Sequence, residues 1–284
     1  MKFLVIGATG MAGHTISIYL NEKGHDVTAL TRRPFEFCKN IIGDIYDLKW
    51  LEHTIGDGEF DAIINCIGIL NSDAEINKHN AVFLNSYLPH YLSYITQNNK
   101  TKIIHMSTDC VFSGKVGNYN EDSFKDGEIF YDRSKALGEI DNNKDLTFRN
   151  SIIGPDLNEN GIGLFNWFMK QSGEIYGYNK AVWTGVTTLT LAKAMEKAAE
   201  DNLTGLYNLV NNETINKYEM LKLFNKHLKE DKLIIKQSDN LILNKSLVNN
   251  RKDFDFIVPS YESMVEEMKM WILKHKESYP HYFQ

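Results

Sequence analysis

Phe3-Leu4-Val5-Ile6-Gly7-Ala8-Thr9-Gly10-Met11-Ala12-Gly13 is the stretch that decides the fold of this 284-residue chain. Four apolar residues run straight into a glycine, as a strand buried on both faces of a parallel sheet does. Met11–Lys23 then reads as a helix that stops at Gly24. Strand, glycine turn and helix in that order predict a dinucleotide site. Gly7 permits the sharp turn, Gly10 lets the backbone approach a pyrophosphate, and Gly13 lets the helix pack on the sheet. The helix N-terminus offers unpaired N–H groups and the positive end of its dipole. The spacing is Gly-x-x-Gly-x-x-Gly, so the expectation rests on its place between a strand and a helix. Gly7, Thr9, Gly10, Met11 and Gly13 are the expected cofactor contacts. The plain alternative is a tight turn that holds no ligand.

Outward from this stretch, Asp26–Leu30, Phe60–Cys66, Lys102–Met106 and Leu146–Arg149 read as further strands. Helical patterns lie between them near Leu48–Ile55, Ala81–Gln97 and Phe130–Ile140. This alternation predicts an α/β fold with a doubly wound parallel sheet, Rossmann-like. After about residue 150 the pattern loosens. Gly154-Pro155 and Asp156–Gly163 read as loop, Leu164–Gln171 as helix, and Thr187 or Thr188 as the cap of a helix reaching about Glu200. Leu206–Val210 is a strand candidate, and Lys217–Leu228 and Tyr261–His275 are amphipathic helices. The expected organisation is a cofactor-binding domain over 1–155 and a smaller C-terminal substrate lobe over 156–284. No Pro/Gly linker separates them, so the lobe is expected to interleave with the first domain and not to stand alone.

Composition narrows the function. The hydrophobic fraction is 43% and the charged fraction 24%, ordinary for a globular protein. A net charge of −6 argues against a nucleic-acid partner. No apolar run reaches the ~20 residues of a membrane span. Cys38, Cys66 and Cys110 lack metal-finger or Cys-x-x-Cys spacing, which fits a reducing cytoplasm. The nine histidines show no paired ligand spacing, so no metal is expected.

The second strand ends in Leu30-Thr31-Arg32-Arg33, with no acid to hold ribose hydroxyls. Arg32 or Arg33 suits a 2′-phosphate, so NADPH is the expected cofactor and NADH the alternative. Asp44 and Ile45 stand at a distance suited to the adenine. Cys66 and Gly68, after the third strand, are placed to pack on the adenosine ribose.

The chemistry is carried further along. Ser107-Thr108-Asp109 ends a strand at the sheet edge where ligands bind in such folds. A hydroxyl there can hydrogen-bond a carbonyl oxygen as negative charge develops on it. Tyr131 and Lys135 stand at i, i+4 and share one helix face. A nearby ammonium lowers a tyrosine pKa, which would make Tyr131 a usable proton donor. The same spacing occurs at Tyr19/Lys23, Tyr176/Lys180 and Tyr218/Lys222, but the 131/135 pair is the one read as following both the glycine turn and a strand that ends in hydroxyl residues. Thr108, Tyr131 and Lys135 are therefore the expected catalytic trio, with Tyr131 and Lys135 also touching the cofactor.

These residues resemble the extended short-chain dehydrogenases/reductases, and within them the dTDP-4-dehydrorhamnose reductases and related sugar-nucleotide reductases. The resemblance runs along nearly the whole chain. It rests on the glycine turn, on Ser107-Thr108-Asp109-Cys110-Val111-Phe112, on Tyr119-Asn120-Glu121-Asp122, and on Tyr131, Lys135, Gly138 and Glu139. Asn85-Ser86-Tyr87-Leu88-Pro89, Arg149 and Trp183-Thr184-Gly185-Val186-Thr187-Thr188 add to it. It implies a reductase for a nucleotide-diphospho-4-keto-6-deoxyhexose, serving surface polysaccharide precursors. It also implies substrate contacts at Asn85, Tyr119, Arg149, Trp183 and Thr187, and a homodimer. Cys110 departs from the tyrosine usual in the rhamnose enzymes, which leaves the exact sugar open. Two rivals remain: an epimerase with tightly bound NAD, and a non-enzymatic NADP-binding regulatory subunit. A dehydratase would carry Thr-Asp-Glu where this chain has Thr108-Asp109-Cys110.

Overall fold

The computed structural model describes residues 1–283. Its first half carries strands β1 (Lys2–Ile6), β2 (Asp26–Thr31), β3 (Lys39–Ile42), β4 (Ala62–Asn65), β5 (Lys102–Met106) and β6 (Leu146–Arg149). Its second half adds β7 (Ile152–Ile153), β8 (Glu174–Tyr178), β9 (Ala181–Trp183), β10 (Val186–Thr187), β11 (Gly205–Asn208), β12 (Ile215–Asn216), β13 (Ile234–Ser238) and β14 (Leu243–Asn244). Among the described residues, seven strands form the central sheet in the order β11-β6-β5-β4-β1-β2-β3, with every pairing parallel. The order reverses between β1 and β4, which opens a crevice at the carboxyl ends of those strands. The last strand of the sheet, β11, comes from the second half of the chain.

Helices α1 (Met11–Glu22), α2 (Leu48–Gly58), α3 (Asn71–Ile76), α4 (Lys78–Ala81), α5 (Leu88–Ile95) and α6 (Phe130–Leu137) flank the sheet or cap its edge. Beyond them lie α7 (Leu164–Met169), α8 (Thr188–Glu200), α9 (Lys217–Leu228) and α10 (Tyr261–Lys274). In β1, Phe3 and Val5 enter the larger apolar core with Ile16 of α1 and Leu191 of α8, while Leu4 and Ile6 enter a second core with Leu51 of α2 and Leu88 of α5. Alternate side chains thus bury on opposite faces, which is why the run is apolar throughout. Each fully buried side chain of this size contributes roughly 2 kcal/mol.

Most of the expected elements form, and the differences have local causes. The helix expected over Phe130–Ile140 ends at Leu137, because Gly138 packs on the neighbouring backbone; a Cβ there would sit 1.8 Å from the Asn85 carbonyl oxygen. The helix expected over Ala81–Gln97 contains a π-helical segment, Val82–Tyr87. The short strand β3 was not expected; half its residues face solvent, so its pattern is weak. The Glu75 carboxylate of helix α3 accepts the Phe130 N–H at 2.5 Å, capping α6 from a distance. No helix among the described residues is long and apolar enough to cross a membrane. The aromatic C-terminus folds back on the body, with Tyr279 fully buried.

Candidate active site

Gly7 has a φ of +84°, a left-handed conformation that disfavours a side chain. Gly13 meets the turn so closely that a Cβ would stand 2.2 Å from the Gly7 carbonyl oxygen. Gly10 is the N-cap of α1 and supplies no side-chain cap. The first-turn N–H groups of α1 therefore stay free for an anion.

Two cavities flank this turn and share Ile67 and Gly68. One, of about 280 Å³, is lined by Gly7, Thr9, Thr31, Arg32, Ile45 and Tyr46 among others. The other, of about 370 Å³, holds Gly10, Met11, Cys66, Thr108, Tyr131 and Lys135. The expected trio therefore converges in one cavity with the glycine turn. Gly13, Arg33 and Asp44 line neither cavity. Asp44 accepts the Tyr46 N–H at 3.1 Å, which sets the turn that presents Ile45 and Tyr46. Tyr46, stacked on Phe83 at 4.6 Å, is a wall residue that the sequence reading missed.

Thr108 ends the segment after β5. Its hydroxyl accepts the Cys110 N–H and lies 3.1 Å from the Asp109 carboxylate. It thus caps the short 3-10 turn Asp109–Val111 while facing the cavity. Ser107 beside it donates to Glu139 at 2.7 Å, which pins the strand end.

The ammonium of Lys135 donates to the Met106 carbonyl at 2.7 Å and lies 3.4 Å from His105 Nε2. Burial pushes Lys135 down to about 8, opposed by the Glu139 carboxylate and the Cys66 thiol. The Tyr131 phenol is raised above its ordinary value by burial, reinforced by Cys110, with a Thr108 contact opposing. This corrects the sequence expectation that Lys135 lowers it: the ammonium is engaged by Met106, and desolvation dominates. A phenol held protonated remains a proton donor. Burial also pushes Cys66 and Cys110 up to about 12, so neither is a thiolate at neutral pH.

The residues expected at the substrate lie outside these two cavities. Asn85 is fully buried; it bonds both backbone groups of Ile69, at 2.9 and 3.0 Å, and the Ser134 hydroxyl. Arg149 is fully buried in a two-bond pair with Glu139, at 2.9 and 2.8 Å, above the Phe112 ring. Tyr119 stacks on Phe112 with centroids 4.1 Å apart. Thr187 caps α8 by accepting the Thr190 N–H at 3.2 Å. Trp183 is buried under the Lys217 ammonium. None of the five lines the two cavities at the glycine turn.

Residues 1–240 match the family described as RmlD substrate binding domain. The chain belongs to this family. Among relatives of this RmlD-family protein is the spore coat polysaccharide biosynthesis protein SpsK of Bacillus subtilis. It is 30% identical over 140 residues, 49% of this chain and 47% of that one. A dTDP-4-dehydrorhamnose reductase of Mycobacterium tuberculosis is 30% identical over 144 residues, covering 49% and 44%. The matched region spans about half the length of these curated relatives. Among solved structures, a dTDP-4-dehydrorhamnose reductase of Bacillus anthracis in complex with NADP superposes with a TM-score of 0.79. It is 20% identical, and the match covers 95% of this chain and 99% of that one. A hypothetical dTDP-4-dehydrorhamnose reductase of Sulfolobus tokodaii gives 0.77 at 24% identity, covering 93% and 99%. At these identities the structures establish the shared fold. A dTDP-glucose 4,6-dehydratase of Bacillus anthracis in complex with NAD also shares it, at 0.75 and 15% identity, covering 99% of each chain.

Proposed function

We propose that this RmlD-family protein reduces the C4 carbonyl of a nucleotide-diphospho-4-keto-6-deoxyhexose, using NADPH, for polysaccharide precursor synthesis. The observation that carries the reading is the convergence of Thr108, Tyr131 and Lys135 in one cavity with Gly10 and Met11. The free first-turn N–H groups of α1 fit a pyrophosphate, and Arg32, exposed at the edge of the smaller cavity, fits a 2′-phosphate. Bound there, a reduced nicotinamide supplies the hydride. The Thr108 hydroxyl, which in this structure donates to Asp109, turns its proton to the carbonyl oxygen and polarises it. The Tyr131 phenol, protonated, delivers its proton to the oxygen as negative charge develops. The Lys135 ammonium, held by Met106, reaches the same space and balances the charge left on Tyr131. Residues 156–284 are assigned to the lobe that holds the sugar nucleotide.

The test is oxidation of NADPH and NADH by the pure protein with dTDP- and UDP-linked 4-keto-6-deoxy sugars. Turnover with one sugar, lost in Tyr131→Phe, is the expected result. Tight cofactor binding with no turnover of any sugar overturns the reductase reading.

A further inference from the structure

Asn65 and His105 lie at the carboxyl ends of β4 and β5 and pair directly in register, two residues beyond the apolar pair Ile63 and Ile103. Strand alternation puts both side chains on the face that Ile63 and Ile103 contribute to the second apolar core. Both are fully buried. A buried amide and a buried imidazole in an apolar row are costly unless their polar atoms are paired. Their partners form a chain that ends on Lys135.

The Ile67 N–H donates to Asn65 Oδ1 at 3.2 Å, and Asn65 Nδ2 lies 3.2 Å from His105 Nδ1. A backbone N–H is always a donor, so it fixes the amide: turned over, Asn65 would set its own NH₂ against the Ile67 N–H. Asn65 Nδ2 therefore donates, and His105 Nδ1 accepts. Burial, with the Lys135 ammonium next and His90 of α5 after it, holds His105 well below its ordinary 6.5, so the ring is neutral. A neutral imidazole that accepts at Nδ1 carries its proton on Nε2. That Nε2–H faces Lys135 Nζ at 3.4 Å, while Nζ donates to the Met106 carbonyl at 2.7 Å. An ammonium has three N–H groups and no lone pair; only the neutral amine can accept from Nε2–H. Burial already brings Lys135 down to about 8, opposed by Glu139 on its own helix and by Cys66 after β4. Glu139 is itself committed to Arg149 by two bonds.

We propose that Asn65 and His105 are positioning residues for Lys135: Asn65 locks the His105 proton on Nε2, and that donor favours the neutral amine of Lys135 over its ammonium. Lys135 is then poised to release its proton close to neutral pH, where an ordinary lysine stays charged. The ammonium is the form that balances charge on Tyr131, so turnover falls as pH rises through the Lys135 value of about 8. This consequence for turnover rests on the reductase reading above; the tautomer and the titration of Lys135 do not.

The experiment is nuclear magnetic resonance of the full chain carrying ¹⁵N-histidine and ¹³C-lysine, for wild type, Asn65→Leu and Asn65→Asp. His105→Gln and Lys135→Met assign the two signals. In wild type the nitrogen shifts of His105 are expected to place its proton on Nε2. Asn65→Leu removes the donor to Nδ1, and Asn65→Asp offers an acceptor there. In both the proton is expected to move to Nδ1, which leaves Nε2 to accept from the ammonium. The midpoint read from the Lys135 Cε shift then rises by about one pH unit, and the alkaline limb of kcat moves up with it. Asn65→Leu adds no charge, so a rise there separates the tautomer from the pull of a new carboxylate. A wild-type His105 with its proton on Nδ1 overturns the proposal. So does a Lys135 midpoint that stays in place in both variants or rises in Asn65→Asp alone. The expected tautomer and midpoints without turnover of any keto-sugar overturn the reductase reading alone.

Discussion

The Nε2 of His14 lies 2.9 Å from the hydroxyl of Tyr279, tying the first turn of α1 to the far end of the chain. The same hydroxyl accepts the Trp271 indole N–H at 3.1 Å. Its own proton must then go to His14 Nε2, which leaves Nδ1–H to donate to the Gly10 carbonyl at 2.9 Å. One tautomer satisfies all three bonds. The C-terminal tail thus braces the glycine turn.

Tyr279→Phe keeps the packing and removes the hydroxyl. A buried acceptor on His14 is left unpaired, at a cost of about 1–3 kcal/mol. Thermal unfolding is expected to shift down, and the NADPH dissociation constant, read by fluorescence titration, to rise several-fold. Unchanged cofactor affinity would mean that the tail supports stability only.

His14 also gives stability a pH dependence. Burial holds it down to about 4, opposed by its bond to Gly10, against an ordinary 6.5. Between those values the unfolded chain binds a proton that the folded chain refuses. The contribution is complete above about 6.5 and is lost as pH falls towards 4. The gap corresponds to about 3 kcal/mol. Denaturant unfolding at a series of pH values should show this slope in wild type and a flatter one in His14→Gln.

Tyr131→Phe removes the proton donor and leaves the cavity shape nearly intact. Turnover is expected to fall by roughly 10²–10⁴-fold with cofactor affinity retained. Thr108→Val removes the donor to the carbonyl oxygen and should cost about 10²–10³-fold in kcat. Steady-state kinetics on the active sugar from the panel decides both.

Arg149→Met removes the two-bond partner of the buried Glu139 carboxylate and leaves it only the Ser107 hydroxyl and the half-exposed Lys125 ammonium at 3.0 Å. Loss of one partner from such a pair costs about 3–5 kcal/mol. The melting temperature should drop sharply. A raised KM with an unchanged melting temperature would instead put Arg149 at the substrate.

Arg32→Ala removes the guanidinium at the edge of the smaller cavity. NADPH affinity is expected to fall by about 10-fold, with NADH affinity unaffected, as loss of a charge-assisted phosphate contact requires. An equal effect on both cofactors would exclude a 2′-phosphate role.

Short-range patterns carried the fold and the trio. The apolar run Phe3–Ile6, the left-handed Gly7, the close-packed Gly13 and the i, i+4 pair Tyr131/Lys135 express constraints that act within a few residues. Backbone sterics and helix or strand periodicity make such constraints readable along the chain. The work of Asn85, Tyr119, Arg149 and Thr187 was not readable, because each side chain has a choice of partners and packing makes the choice. Arg149 pairs with Glu139, and Thr187 caps the backbone of α8. Glu75 capping Phe130, His14 meeting Tyr279, and Lys217 over Trp183 join residues 55, 265 and 34 positions apart. Contacts at such separations leave no period in the sequence. They exist because the sheet and the second half of the chain enclose those groups, and enclosure makes a buried polar atom without a partner costly.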